Sequence, residues 1–153
     1  IQQLNKSFPD DLHGKFVLQN EIEIGAGIGF SAALCVVISR WFAWKQWIEA
    51  KDLFKFARQL ENLHHGRSSG IDIVGAMFGQ MVLFTSSTGV QKVEAHWQPK
   101  LYVSYSGFPK NTKEAVECID KLREKSPQLA HQIDEEMAES VHQIKEALKK
   151  DKS

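Results

Sequence analysis

The spacing of apolar and polar positions divides the chain into segments of different kinds. From Lys15 to Glu23, Phe16, Leu18 and Ile22 are interspersed with polar residues, and Ile24 follows; this predicts a strand. From Phe30 to Trp47 the pattern is helical. Its first half is apolar nearly all round, which predicts deep burial. Its second half carries Trp41, Phe42, Trp44 and Trp47 among Arg40, Lys45 and Gln46. These aromatics read first as core or interface packing, with a nucleobase platform or a subunit contact as the alternative. Ala50, Leu53, Phe54, Ala57 and Leu60 recur at i, i+3, i+4 and i+7 spacing and predict a helix over 50–63. A short helix is expected from Ser69-Gly70-Ile71-Asp72 to about Phe78.

Gln80 to Ser86, Val90 to His96 and Lys100 to Ser106 predict antiparallel strands, with Gly89 and Pro99 marking the turns. Asn111-Thr112-Lys113-Glu114 then caps a helix carrying Ala115, Val116, Ile119 and Leu122. Ser126-Pro127 starts another, since serine is a good N-cap and proline suits the first helical position. Leu129, Ile133, Met137, Val141, Ile144 and Leu148 line one of its faces. The order of strand, helices, strands and helices predicts an α+β domain over residues 1–153, ending in a charged tail.

Composition narrows the class. Hydrophobic residues make 42% of the 153 and charged residues 25%, ordinary for a globular domain with a core. Net charge is zero, so there is no global electrostatic case for nucleic acid. The longest apolar run, Ala32 to Ile38, is too short to span a bilayer, so no membrane partner is expected. Cys35 and Cys118 make no disulfide framework, and a cytoplasmic location is the expectation.

The candidate chemistry begins at Gly25-Ala26-Gly27-Ile28-Gly29-Phe30-Ser31. Glycines at alternate positions let the backbone approach a ligand with no Cβ in the way. A helix N-terminus follows, with unpaired N–H groups and the positive end of a dipole. That combination binds phosphate. A dinucleotide fingerprint needs a third glycine where Phe30 stands, and a Walker A loop needs a lysine that is not there. The bland alternative is a glycine-rich turn without a ligand. Downstream, Glu61 ends a predicted helix, an unfavourable place for an acid, and so is a candidate metal ligand or a solvated surface residue. Asp72 reads as a capping-box acid behind Ser69, a position that also suits a fixed general base. His64 and His65 are adjacent on a helix and make a poor metal pair; His65 is expected in a turn and His64 in solvent. Arg67 is open to an acidic substrate or to Asp72.

Three segments resemble the GHMP small-molecule kinases. Glu23 to Ala33 is similar to the motif P-x-G-A-G-L-G-S-S-A-A, with Glu23 for the proline, Phe30 for the first serine and Ser31 kept. Glu61 to Asp72 is similar to E-x-x-x-H-G-x-P-S-G-I/V-D, the signature of the mevalonate kinase branch, with Ser68 for the proline. Phe108 to Lys113 resembles V-P-R-x-T-K/R. The resemblance implies a β-sheet packed with helices, related to the ribosomal S5 second domain. It implies a chain taken from the middle of a kinase, with a naturally reduced relative as the alternative, and a phosphate loop at 23–33, an acidic motif at 61–72 and a helical part at 111–150. It implies ATP and Mg²⁺: Gly25, Ala26, Gly27, Ile28, Gly29, Phe30 and Ser31 cradle the nucleotide, and Ser31 and Glu61 hold the metal. It further implies Asp72 as catalytic carboxylate, with Thr112 orienting it. The acceptor is a small alcohol, mevalonate by the nearest likeness. Phosphomevalonate, homoserine or a sugar, or a degenerate binding protein, are the alternatives. A homodimer is left open.

Overall fold

A computed structural model describes residues 15, 17–108 and 112–150, the first two of the last segment by backbone alone. The elements are α1 (Phe30–Trp44), a single 3₁₀ turn (Ala50–Asp52) leading into α2 (Leu53–His65), α3 (Ile71–Phe78), β1 (Val82–Thr85), β2 (Gly89–Lys92), α4 (Thr112–Lys125) and α5 (Pro127–Lys149). The α+β class holds. Among the described residues no helix is long and apolar enough to cross a membrane.

Helices α1, α2 and α3 pack into one layer. Its core is Ala32, Cys35 and Val36 from α1, Ala57 from α2 and Ile73 from α3, with Phe54, Leu60, Ala76 and Met77 against it. The small side chains Ala32, Cys35 and Ala57 let the helix axes approach closely. Ser39 is fully buried among them and donates its hydroxyl to the Cys35 carbonyl at 2.6 Å, so its polarity is satisfied inside its own helix. Arg40 donates to the Met77 carbonyl at 2.9 Å and closes the end of α3.

Three of the four aromatics of this segment pack against one another, while Trp44 stays exposed. Trp41, Phe42 and Trp47 meet edge to face with centroids 5.1 to 5.3 Å apart, and Phe42 reaches Phe56 of α2 at 5.0 Å. The predicted helix to Trp47 ends earlier for a local reason. Gln46 takes φ 59, and the Trp47 and Gln46 N–H groups return to the carbonyls of Phe42 and Ala43, the pattern of a left-handed C-terminal cap.

The strands are fewer than predicted. β1 and β2 form an antiparallel hairpin registered Val82↔Lys92 to Thr85↔Gly89. Gly89 (φ 73) makes the left-handed residue after the turn, as its position predicted. The stretches expected as strands at 15–23 and 100–106 are irregular where described. An alternating pattern needs a partner ladder to become a strand, and none of the described residues supplies one. In the first stretch Asn20 instead closes a turn on Ile22, through its side chain, in both directions.

α4 and α5 form a helical hairpin joined at Ser126. Pro127 starts α5 as predicted, though Ser126 makes no side-chain cap bond. Arg123 holds Asp134 through both carboxylate oxygens at 3.1 and 3.2 Å. The far end of α5 is tied to the strand region: the His96 N–H donates to the Leu148 carbonyl at 2.9 Å, and Trp97 Nε1 to that of Ala147 at 3.2 Å.

Candidate active site

The glycine segment enters α1 with φ alternating in sign. Gly25, Gly27 and Gly29 take φ 84, 74 and 86, while Ala26 and Ile28 do not. Such alternation turns successive N–H groups into a concave anion-binding nest. Gly29 is the N-cap of α1 in the left-handed region, with no side-chain cap and no acid in the first turn. The amides opening α1 therefore lack side-chain partners, and the dipole is not neutralised locally. A Cβ built on Gly27 or Gly29 meets nothing within 4 Å. Packing does not explain these glycines; backbone conformation and the open space in front of them do.

The end of α2 and the strap 66–70 are bound together at Ser68. Its N–H donates to Asn62 Oδ1 at 2.7 Å, and its hydroxyl donates to the Glu61 carboxylate. The same hydroxyl accepts the Gly70 N–H at 3.0 Å, and the Ser68 carbonyl accepts from Arg58 Nε at 3.0 Å. A proline, the residue of the resembled motif, has neither the N–H nor the hydroxyl. The departure at Ser68 is thus used twice. Glu61 is buried, 4% exposed, so it is not the solvated surface residue of the bland reading. Its charge is felt inside the layer: burial first, and the Glu61 carboxylate second, push the Cys35 thiol up to about 11.

His65 does not serve merely as a turn residue. Its Nε2 lies 3.0 Å from Ser31 Oγ, joining the end of α2 to the first turn of α1. Its ring stacks edge to face on exposed His64 at 4.6 Å. Sequence reasoning missed this contact, because 34 residues separate the partners.

Asp72 is the second residue of α3, behind the N-cap Gly70 (φ 86). The capping box expected from Ser69 does not form: Ser69 Oγ accepts from the Ile71 N–H at 3.3 Å, and no side chain caps the helix. Gly70 is required by packing as well as by φ, since a Cβ there would stand 2.9 Å from the Phe54 ring. Asp72 is left exposed, with no hydrogen bond or ion pair to another described residue.

These pieces border one cavity of about 890 Å³. Gly25, Gly27, Gly29, Phe30 and Ser31 of the loop line it, as do Glu61, His65, Arg67, Ser69 and Asp72. Of the predicted loop, Ala26 and Ile28 are not on the wall. Val116 from the start of α4 also reaches it. Thr112 begins that helix, but its side chain lies outside the described residues, as does Pro109 to Asn111 of the third motif.

The donor set suits magnesium. Ser31 and Glu61 offer only oxygen, which that ion prefers, and Mg²⁺ characteristically takes one or two carboxylates and completes its shell with phosphate and water. Among the described residues no group of three or more His, Cys, Asp or Glu could enclose a metal alone. The volume is in the range of small-molecule sites. The loop of left-handed glycines and the unpartnered Asp72 carboxylate border the same cavity.

Comparison with known proteins agrees with the motifs. The GHMP kinases N terminal domain matches residues 1–80. The mevalonate kinase of Pyrococcus horikoshii is 29% identical over 135 residues, covering 86% of this chain and 39% of that protein. That of Archaeoglobus fulgidus is 32% identical over 118 residues, 76% of this chain and 39% of the relative. That of Arabidopsis thaliana is 26% identical over 125 residues, 72% and 33%. The chain therefore spans about two-fifths of the length of the curated relatives it matches. No solved structure matches it. With the family domain covering more than half of the chain, this chain belongs to the GHMP kinases, and residues of its first two motifs border one cavity.

Proposed function

We propose that this chain carries the nucleotide loop and the proton acceptor of a kinase that transfers the terminal phosphoryl of ATP to the hydroxyl of a small alcohol, most closely mevalonate. The observation that carries the reading is the shared cavity, which both the φ-alternating loop and the unpartnered Asp72 line. The mevalonate kinases among the relatives support the acceptor.

The residues divide the work as phosphoryl transfer requires: positioning and charge neutralisation. The amides of Gly25, Gly27 and Gly29 to Ser31 hold the phosphates through the nest and the α1 dipole. Ser31 and Glu61 would hold magnesium, which when bound offsets the charge of the phosphate oxygens. His65 fixes the Ser31 hydroxyl in direction, and Ser68 does the same for Glu61. Asp72 accepts the proton of the acceptor hydroxyl as it attacks. Phe30 borders the cavity where the family motif carries a serine; its ring donates nothing, so the contribution at that position is its backbone amide.

ADP release by the intact protein across candidate alcohols tests the proposal. Turnover dependent on mevalonate supports it, turnover with another alcohol alone moves the acceptor within the family, and none with any alcohol removes the catalytic reading. In a protein that turns over, Asp72→Asn is expected to lower kcat by about 100- to 10,000-fold while ATP stays bound. A near-parental rate in that variant would reduce Asp72 to a helix-terminal charge.

A further inference from the structure

Glu61 and His65 stand four positions apart at the end of α2, so they share a face of that helix, and both line the cavity. Glu61 offers its own carboxylate there. His65 reaches instead to α1, where its Nε2 lies 3.0 Å from Ser31 Oγ in a half-buried contact. Among the described residues, each of these two side chains has the other as its sole hydrogen-bond partner. The His65 ring is also braced. Gly66 (φ 79) ends α2 directly behind it and returns its N–H to the Asn62 carbonyl at 2.8 Å. The His64 ring meets it edge to face at 4.6 Å.

A serine hydroxyl carries one proton and two lone pairs. When it binds a cation, a lone pair faces the ion and the proton must point away from it, toward an acceptor. We propose that His65 is that acceptor: a positioning residue whose Nε2, with the ring proton on Nδ1, takes the Ser31 hydrogen bond and leaves the Ser31 lone pairs to magnesium. This rests on the kinase reading above and deepens it by fixing the direction of the bond and the atom that receives it. The reverse bond, with Nε2 donating to Oγ, would occupy a lone pair and release the hydroxyl proton, so that Ser31 would no longer be prepared for a cation. One turn of α2 then governs both oxygens of the metal reading, Glu61 by itself and Ser31 through His65.

Calorimetric titration of the intact protein with ADP, over a series of Mg²⁺ concentrations, decides the matter without turnover. His65→Phe is expected to raise the Mg²⁺ concentration that half-maximally tightens ADP binding by about 10- to 100-fold, with magnesium-free ADP affinity unchanged. His65→Gln sets an amide oxygen near the place of Nε2 and should recover most of the loss; the shorter His65→Asn should not. Ser31→Ala should reproduce the His65→Phe result. The double variant should be no worse than Ser31→Ala alone, because His65 acts through that hydroxyl. A parental Mg²⁺ requirement in His65→Phe overturns this inference alone, and so does an additive loss in the double variant or equal recovery by Asn and Gln. A fall in magnesium-free ADP affinity also overturns it, by placing His65 on the nucleotide. A parent that binds no ADP, or binds it without response to Mg²⁺, overturns the nucleotide and metal roles of the kinase reading and this inference with them. Should His65→Phe lose its circular dichroism melt, the comparison of His65→Gln with His65→Asn carries the decision.

Discussion

The α1–α3 layer and the α4–α5 hairpin have equally regular apolar spacing but bury it to opposite extents. In the layer, Ala32, Val36, Ala57, Ile73 and Val74 are 0 to 2% exposed. Along α5, Ile133, Met137, Val141 and Ile144 sit at the same three- and four-residue steps, and all are between 38 and 63% exposed. Only Ala130 and Leu148 of that helix are buried, where it turns against α4 and where it meets the strand region. Periodicity identifies which face of a helix is apolar; burial depends on whether another element presents a matching face. The cavity lies in the layer because three helix ends converge there around small side chains.

Paired core truncations test this contrast most severely. Ile73→Ala should cost about 2–5 kcal/mol in urea melts of the intact protein. Ile133→Ala, on the exposed face, should stay within about 0.5 kcal/mol. A large loss at Ile133 would mean that the hairpin face is covered in solution, and the contrast would fall.

A smaller effect separates two kinds of glycine within the layer. Gly70→Ala places a methyl against the Phe54 ring at a positive φ, and a cost of about 1–3 kcal/mol is expected. Gly27→Ala meets open space and pays for φ alone, about 1 kcal/mol. Its main result should be weaker nucleotide binding, read by titration with ATP and magnesium. Equal melting shifts for the two, with nucleotide affinity unchanged, would remove the cradle reading of Gly27.

The mildest effect is a change of stability with pH that shows only in alkaline solution. The Cys35 thiol is raised from 9.0 to about 11 in the fold, so the folded state keeps its proton longer than the unfolded chain does. Stability from this group is fully present below pH 9 and is lost as pH rises through 11. Cys35→Ala should flatten that alkaline slope. Burial keeps the Cys35 thiol protonated and covered in the folded protein at pH 8, so iodoacetamide should label exposed Cys118 first. Equal labelling of both would show that the layer opens readily around Cys35.

Much of what borders the cavity was legible in the chain. Alternating glycines ahead of an apolar helix located the loop, and the family resemblance of 61–72 singled out Glu61 and Asp72. What escaped were contacts between distant segments. Nothing local announces that His65 meets Ser31, or that Ser68 bonds both Asn62 and Glu61. A faint signal existed at Ser68, where a residue with two hydrogen-bonding groups replaces one with neither. The predicted strands at 15–23 and 100–106 failed for the same reason, since a strand exists only through its neighbour.

By itself the sequence determined what acts within one or two turns of backbone: helix faces, the left-handed glycines, the start of α5 at Pro127 and the turn at Gly89. Caps, φ preferences and i, i+4 spacing operate over that range. Only the tertiary structure decided that Glu61 is buried rather than solvated, that Asp72 and Arg67 stay apart, and that the loop and the 61–72 segment share one cavity. Those outcomes depend on which helices pack together, and that is settled by side-chain volume and mutual burial across the whole layer.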